Sequence, residues 1–140
     1  MNTENEKCVI VIDETLPLGV AANTAAILGI TLGMKRPDVV GPDVADREGC
    51  VHMGIIRFPV PVLRGGRETL RALRAKLFSE EYAGLTVVDF SELAQGCRTY
   101  DEFVSRMSAC PGEELSYIGI AVCGGRKKID RLTGNMPLLR

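Results

Sequence analysis

The chain has 140 residues, 46% hydrophobic and 25% charged, with a formal net charge of −1. A chain of this size buries roughly 68–70% of the surface its unfolded form exposes, so one globular domain forms without a metal or disulfide staple, and disorder is excluded. The near-neutral balance removes the broad positive field of most nucleic-acid binders: DNA is not an expected partner, and an RNA contact would need a local basic patch.

The domain is expected to span residues 1–140, opening with a polar tail at 1–6 that lacks the basic start and apolar core of a signal peptide. Cys8 to Ile12 is a continuous β-branched run, which predicts a strand buried on both faces at the centre of a sheet. Asp13 to Gly19 is a loop, broken by Pro17 and Gly19. Val20 to Leu32 then predicts an apolar helix that ends at Gly33. The apolar stretch from Gly19 to Met34 contains Asn23, Thr24 and Thr31 and is shorter than the roughly 20 residues of a membrane span. A buried helix, no membrane and a cytoplasmic location are therefore expected.

From Met34 to Val51 the connection is too long to be featureless. It is read as a short edge strand over Asp38 to Gly41 and a turn at Asp46 to Gly49, leading into a strand from His52 to Phe58. Pro59 and Pro61 stop ladder pairing on one edge, because proline donates no backbone hydrogen. Leu70, Leu73, Leu77 and Phe78 fall at helical spacing with arginines on the other face, predicting a surface helix. Leu85 to Phe90 reads as a strand. Tyr100 to Ser108 reads as a short helix with Phe103, Val104 and Met107 inward, Leu115 to Val122 as the last strand, and the remainder as a tail. Strands alternating with helices imply a three-layer α/β/α sandwich around a mixed, mainly parallel sheet of four or five strands.

Five scattered cysteines, Cys8, Cys50, Cys97, Cys110 and Cys123, include no C-x-x-C pair, and His52 is the single histidine. Zinc sites need about four clustered ligands, so no metal is expected, and no cofactor motif is present. Cys8 and Cys123 lie in apolar runs where a thiol acts as a small hydrophobe, and reduced cysteines fit a cytoplasmic protein. A cysteine nucleophile would have only His52 as its base, oriented by Asp13 or Asp89. An exposed histidine is the plainer reading. No G-x-S-x-G elbow is present.

In α/β proteins, ligands bind beyond the carboxyl ends of the strands, which directs attention to Asp13, Glu14 and Asn23 after the first strand. These polar groups either line a site or serve the loop and helix start. Arg64-Gly-Gly-Arg67 before a helix is an anion-binding candidate, since glycines admit close backbone approach and arginine grips anions in a bidentate way. It matches neither the Walker A spacing nor G-x-G-x-x-G, and a solvated turn explains it equally. Gly124-Gly125-Arg126-Lys127-Lys128 carries the same ambiguity.

The opening Lys7 to Asp13, the helix start Gly19-Val-Ala-Ala-Asn23-Thr-Ala-Ala and the ending Ile129 to Leu139 resemble the type II peptidyl-tRNA hydrolases. Within that superfamily, Leu-Pro-Leu-Gly-Val-Ala-Ala-Asn-Thr-Ala-Ala, Val-Val-Gly-Pro-Asp-Val and Pro-Val-Pro-Val-Leu are similar to the bacterial family of unknown function numbered two thousand. The resemblance implies a peptidyl-tRNA hydrolase II-like fold. The hydrolases' first-helix lysine falls here on Gly19, their glutamine on Asn23 and their histidine on Ala26, while Gln95-Gly96-Cys97-Arg98-Thr99 stands where they carry Asp-Ala-Gly-Arg-Thr. The charge-stabilising lysine and water-orienting aspartate of such a hydrolysis are therefore replaced, which argues against tRNA as the partner. The resulting expectation is a small-molecule ligand in a pocket beside the first helix, with Asp13, Asn23, Arg98 and Thr99 as ligand-binding candidates and Arg64 and Arg67 as anion-binding candidates. Asn23 and Thr99 flank one pocket in this reading, unless Thr99 caps the following helix. A homodimer is expected. The alternatives are an active peptidyl-tRNA hydrolase with relocated catalytic groups, and a homodimeric interaction module with a vestigial pocket.

Overall fold

A computed structural model describes residues 5–140. Strand β1 (Glu6–Asp13) leads through a loop to helix α1 (Leu18–Lys35), and a long connection contains the two-residue strands β2 (Val44–Ala45) and β3 (Val51–His52). Then follow β4 (Val62–Gly65), α2 (Arg67–Leu77), β5 (Thr86–Ser91), α3 (Glu92–Gln95), α4 (Tyr100–Ala109), β6 (Tyr117–Gly125) and α5 (Arg126–Thr133). Of the polar tail expected at 1–6, residues 1–4 lie outside the described residues and Glu6 already pairs in the sheet.

The main sheet has four strands in the order β4-β1-β6-β5, with β1 interior as its unbroken apolar run requires. Alternate β1 side chains enter two cores. Val9 and Val11 face α2 and α5, meeting Leu70, Leu73, Ile129 and Leu132, whereas Cys8, Ile10 and Ile12 face Ala21, Leu28 and Leu32 of α1. The three-layer α/β/α arrangement and the mixed sheet stand. The parallel share is smaller than expected, because β1 and β4 pair parallel while β1 and β6, and β5 and β6, pair antiparallel. The reason lies in α3 and α4, which pack on each other as a helical hairpin and return the chain to the edge it left, so β6 runs opposite to β5.

Other expectations shift locally. Asp38 to Gly41 is a 3₁₀ turn over Pro37–Val39 followed by one antiparallel bridge between Val40 and Ile56, and the strand over His52 to Phe58 reduces to β3 and that bridge. The turn at Asp46 to Gly49 forms, with the Asp46 carboxylate accepting from the amides of Glu48 and Cys50 and Gly49 at φ 86°. Strand β4 starts directly after Pro61, whose carbonyl already accepts from the Ile10 amide at 3.0 Å. Proline removes only a donor. The expected tail contains α5, whose Ile129, Leu132 and Thr133 are buried at helical spacing, and its last residues pair with β4: Leu139 N donates to Val62 O and Arg64 N to Pro137 O. That pairing covers an otherwise open sheet edge. Phe78 and Val104 point outward, Phe78 lying under the Arg74 guanidinium.

Helix α1 was expected to be buried, but only Ala21, Thr24, Leu28 and Leu32 are. It packs as a single outer layer with solvent on its far side, and Ala25 is only half-buried. Gly119 opposite Thr24 and Leu28 lets it approach the sheet, since a Cβ there would come within 3.0 Å of Leu28 Cδ1. The expectation of reduced thiols fails for Cys8 and Cys123. Their register puts them opposite each other on β1 and β6 with Cα atoms 4.2 Å apart, and they form a disulfide. Cys50, Cys97 and Cys110 are free.

Candidate functional site

Strands β1, β4 and β5 end at one edge of the sheet, where β6 begins. There the Asp13 side chain is buried and accepts from Arg67 Nε, from the Thr15 amide at 2.9 Å and from the Thr15 hydroxyl at 2.8 Å. Burial pushes the Asp13 carboxyl up, but the Arg67 and Thr15 hydrogen bonds outweigh it and hold the group below the usual carboxylate range. The other end of the Arg67 fork donates to Glu92 Oε2 at 2.6 Å and Ser116 Oγ at 2.7 Å. Its guanidinium pKa is raised by Asp13 first and Glu92 second. One arginine thus joins the end of β1, the start of α2, the start of α3 and the residue before β6. Nearby, Arg64 pairs with Glu14 at 3.2 Å beside a polar cleft of about 500 Å³ that also meets Lys76 and Asn135. Both arginines of the Arg64-Gly-Gly-Arg67 segment therefore already face internal carboxylates.

A second cavity, of about 390 Å³, lies beside α1. Ile27 and Thr31 of α1 form one wall, Val88 and Phe90 of β5 the floor, and the segment from Cys97 to Phe103 the other wall. Arg98 and Thr99 line it. Thr99 Oγ1 accepts from the Glu102 amide at 3.1 Å and caps α4, while Glu102 reaches back to the Arg98 amide at 3.2 Å, a variant of the capping box. The Arg98 guanidinium makes no hydrogen bond or ion pair among the described residues. Cys97 Sγ donates to the Leu93 carbonyl, with Arg106 Nη1 3.8 Å from the sulfur.

Of the residues singled out from sequence, Arg98 and Thr99 come together in this groove, whereas Asp13 and Arg67 form the knot at the carboxyl edge. The two places adjoin through Ser91, which lines the groove and caps α3, and its neighbour Glu92. Asn23 is exposed on α1 and lines neither cavity, so the pocket shared by Asn23 and Thr99 does not form. His52 pairs with Asp46 at 2.8 Å in the exposed hairpin and faces neither Asp13 nor Asp89. Gly19 and Gln95 are exposed and offer no side chain to either cavity. The groove's apolar walls, Ile27, Phe90 and Phe103, escape sequence reasoning because a helical or strand-face hydrophobe reads as core.

These elements define a three-layer α/β domain with a mixed sheet and an open groove beside its first helix. The family model described as "Protein of unknown function (DUF2000)" matches residues 6–140, and the chain belongs to that family. A solved structure of a protein of unknown function from Agrobacterium tumefaciens strain C58 is similar, with a TM-score of 0.85 and 18% identity over 96% of this chain and 97% of that one. At that identity the likeness establishes the fold. None of the curated proteins matches the chain.

Proposed function

We propose that this protein binds a small molecule with an apolar body and an anionic end in the groove between α1, β5 and α4. The observation that carries the reading is Arg98, which lines a mainly apolar cavity of about 390 Å³ and whose guanidinium has no partner among the described residues. Ligand cavities of roughly 300–1,000 Å³ are mostly apolar with a few polar groups that fix orientation. Arginine suits a carboxylate or phosphate because its planar fork donates two parallel hydrogen bonds. The same argument sets the carboxyl edge aside as the anion site, since Arg64 and Arg67 are engaged by Glu14, Asp13 and Glu92. Peptidyl-tRNA hydrolysis gains no support: with Gly19, Ala26 and Gln95 at the three positions in question, no charged side chain stands there to stabilise an oxyanion or orient water.

A fluorescence titration with 8-anilinonaphthalene-1-sulfonate, whose fused rings and sulfonate reproduce the proposed chemistry, tests the reading. Saturable binding is expected, weakened about tenfold by Arg98→Ala, as for loss of one charge-assisted contact of about 1.4 kcal/mol, and blocked by Ala94→Phe, which fills the groove. Equal binding by the parent and both variants would overturn it.

A further inference from the structure

Strand β5 closes one side of the main sheet, and its outer edge is open. Strand β1 is buried from Cys8 to Asp13 and β6 from Tyr117 to Gly124, whereas every residue from Thr86 to Phe90 is half-buried. The ladder fixes which backbone groups are left over. Ile10 N donates to Pro61 O on the β4 side, so Ile10 and Ala121 are a non-hydrogen-bonded pair and the Ala121 backbone points to β5. The register then bonds Thr86, Val88 and Phe90 to β6 and turns the N–H and C=O of Val87 and Asp89 outward. Those groups meet no hydrogen-bond partner among the described residues. At the other side of the sheet the segment 137–139 covers β4, but nothing of the kind covers β5, and no proline or lysine within it blunts the edge.

The groove of about 390 Å³ reaches this edge. It is lined by Val88, Asp89, Phe90 and Ser91 in succession. Side chains alternate between the two faces of a strand, so a cavity that touches consecutive residues wraps around the strand's edge.

We propose that the groove's ligand is an extended peptide, which adds to β5 as a further strand and places an apolar side chain between α1 and α4 and a carboxylate on Arg98. The inference rests on the ligand reading above and names the class of ligand. Outward N–H and C=O groups at Val87 and Asp89, two residues apart, match the hydrogen-bond repeat of an extended chain. In strand addition the main-chain bonds give affinity, and pockets beside the strand select side chains. Arg98 adds the demand for an acid, supplied by the end of the peptide or by a Glu or Asp side chain. A second copy of β5 offers the same backbone, but its one acid, Asp89, is held by Arg74 at 2.7 Å and brings no free carboxylate.

Fluorescence anisotropy of the full chain with an N-terminally labelled peptide, Lys-Thr-Val-Thr-Leu with a free terminal carboxylate, tests this. Saturable binding is expected. Amidating the terminus is expected to weaken binding to the parent about tenfold and binding to Arg98→Ala hardly at all. The amide of Lys-Thr-Val-Glu-Leu tests the other source of the acid: recovered binding to the parent, but not to Arg98→Ala, upholds the inference with a side-chain carboxylate. Val87→Pro removes an outward N–H and no bond to β6, and Val87 does not line the groove. It is expected to weaken peptide binding about tenfold while leaving circular dichroism and 8-anilinonaphthalene-1-sulfonate binding unchanged. Should that variant misfold, N-methylation of alternate peptide amides reads the same contact from the ligand: one set abolishes binding and the other leaves it. Sulfonate binding without binding of either peptide would overturn this inference and leave the small-molecule reading standing, whereas loss of both would overturn both. Peptide binding indifferent to Val87→Pro and to either N-methylated set would overturn strand addition. So would self-association of the chain that Val87→Pro abolishes, in the absence of peptide binding.

Discussion

Arg67, at the start of α2, and Arg98, in the groove beside α1, have opposite fates. Arg67 is bound by Asp13, Glu92 and Ser116, so its charge is spent holding four chain segments together. At Arg98 the neighbouring acid, Glu102, accepts from the Arg98 backbone amide in the capping box, and the side chain of Arg98, which lines a mainly apolar groove, has no partner among the described residues. What separates a structural arginine from a binding one is the set of acids the fold delivers to it. Neither the residue type nor its neighbours in sequence decide that.

The sharpest way to break this contrast is Arg67→Ala. It strands the buried Asp13 carboxylate and is expected to cost about 2–3 kcal/mol in denaturant unfolding, somewhat below the 3–5 of a fully buried pair because Arg67 is 37% exposed. A loss below about 0.5 kcal/mol, the range of an ordinary surface change, would show that the knot is not structural.

The pH dependence of the same pair follows from its sign. The Asp13 carboxyl lies below its unfolded value, so its contribution is complete above about pH 3.9 and disappears as pH falls through the lower folded value. In acid unfolding curves, Asp13→Asn is therefore expected to be less stable than the parent at neutral pH and to lose less stability below about pH 4. Parallel acid limbs for parent and variant would place the acid sensitivity elsewhere.

A smaller effect sharpens the other half of the contrast. Thr99→Ala removes the α4 cap and is expected to cost about 1 kcal/mol, with Thr99→Ser restoring most of it, because the hydroxyl's job is to accept from the Glu102 amide. A loss of binding in Thr99→Ala without a loss of stability would assign Thr99 to the ligand instead. Smallest of all, Arg98→Ala is expected to stay within about 0.5 kcal/mol of the parent in thermal unfolding, since the guanidinium has no partner among the described residues. A larger loss would mean that Arg98, like Arg67, is structural.

Much of this molecule is written in local pattern. The Cys8 to Ile12 run required an interior strand, the Leu70-Leu73-Leu77 spacing required an amphipathic helix, and Thr99 to Glu102 carried the signature of a capping box. Each depends on neighbours within a few residues, where side-chain direction follows from backbone geometry alone. Strand β4 and helix α5 are not legible in the local pattern, because Pro59 and Pro61 signal a stop and the basic start of α5 signals a solvated tail, although Ile129 and Leu132 carry the helical spacing.

Tertiary structure decided the rest. Sequence could not tell that α3 and α4 double back and reverse β6, nor that Cys8 and Cys123, 115 residues apart, meet across β1 and β6. It read α1 as buried from its composition, when one layer of helix on a sheet has one side left for solvent or a partner. Arg64 and Arg67 looked like an anion cradle until Asp13, Glu14 and Glu92 were brought to them from other elements. Local sequence determines what a residue is able to do. Which charges and surfaces stay unpaired depends on contacts between distant segments, because Coulombic and hydrogen-bond energies are set by distance in space and not by separation along the chain.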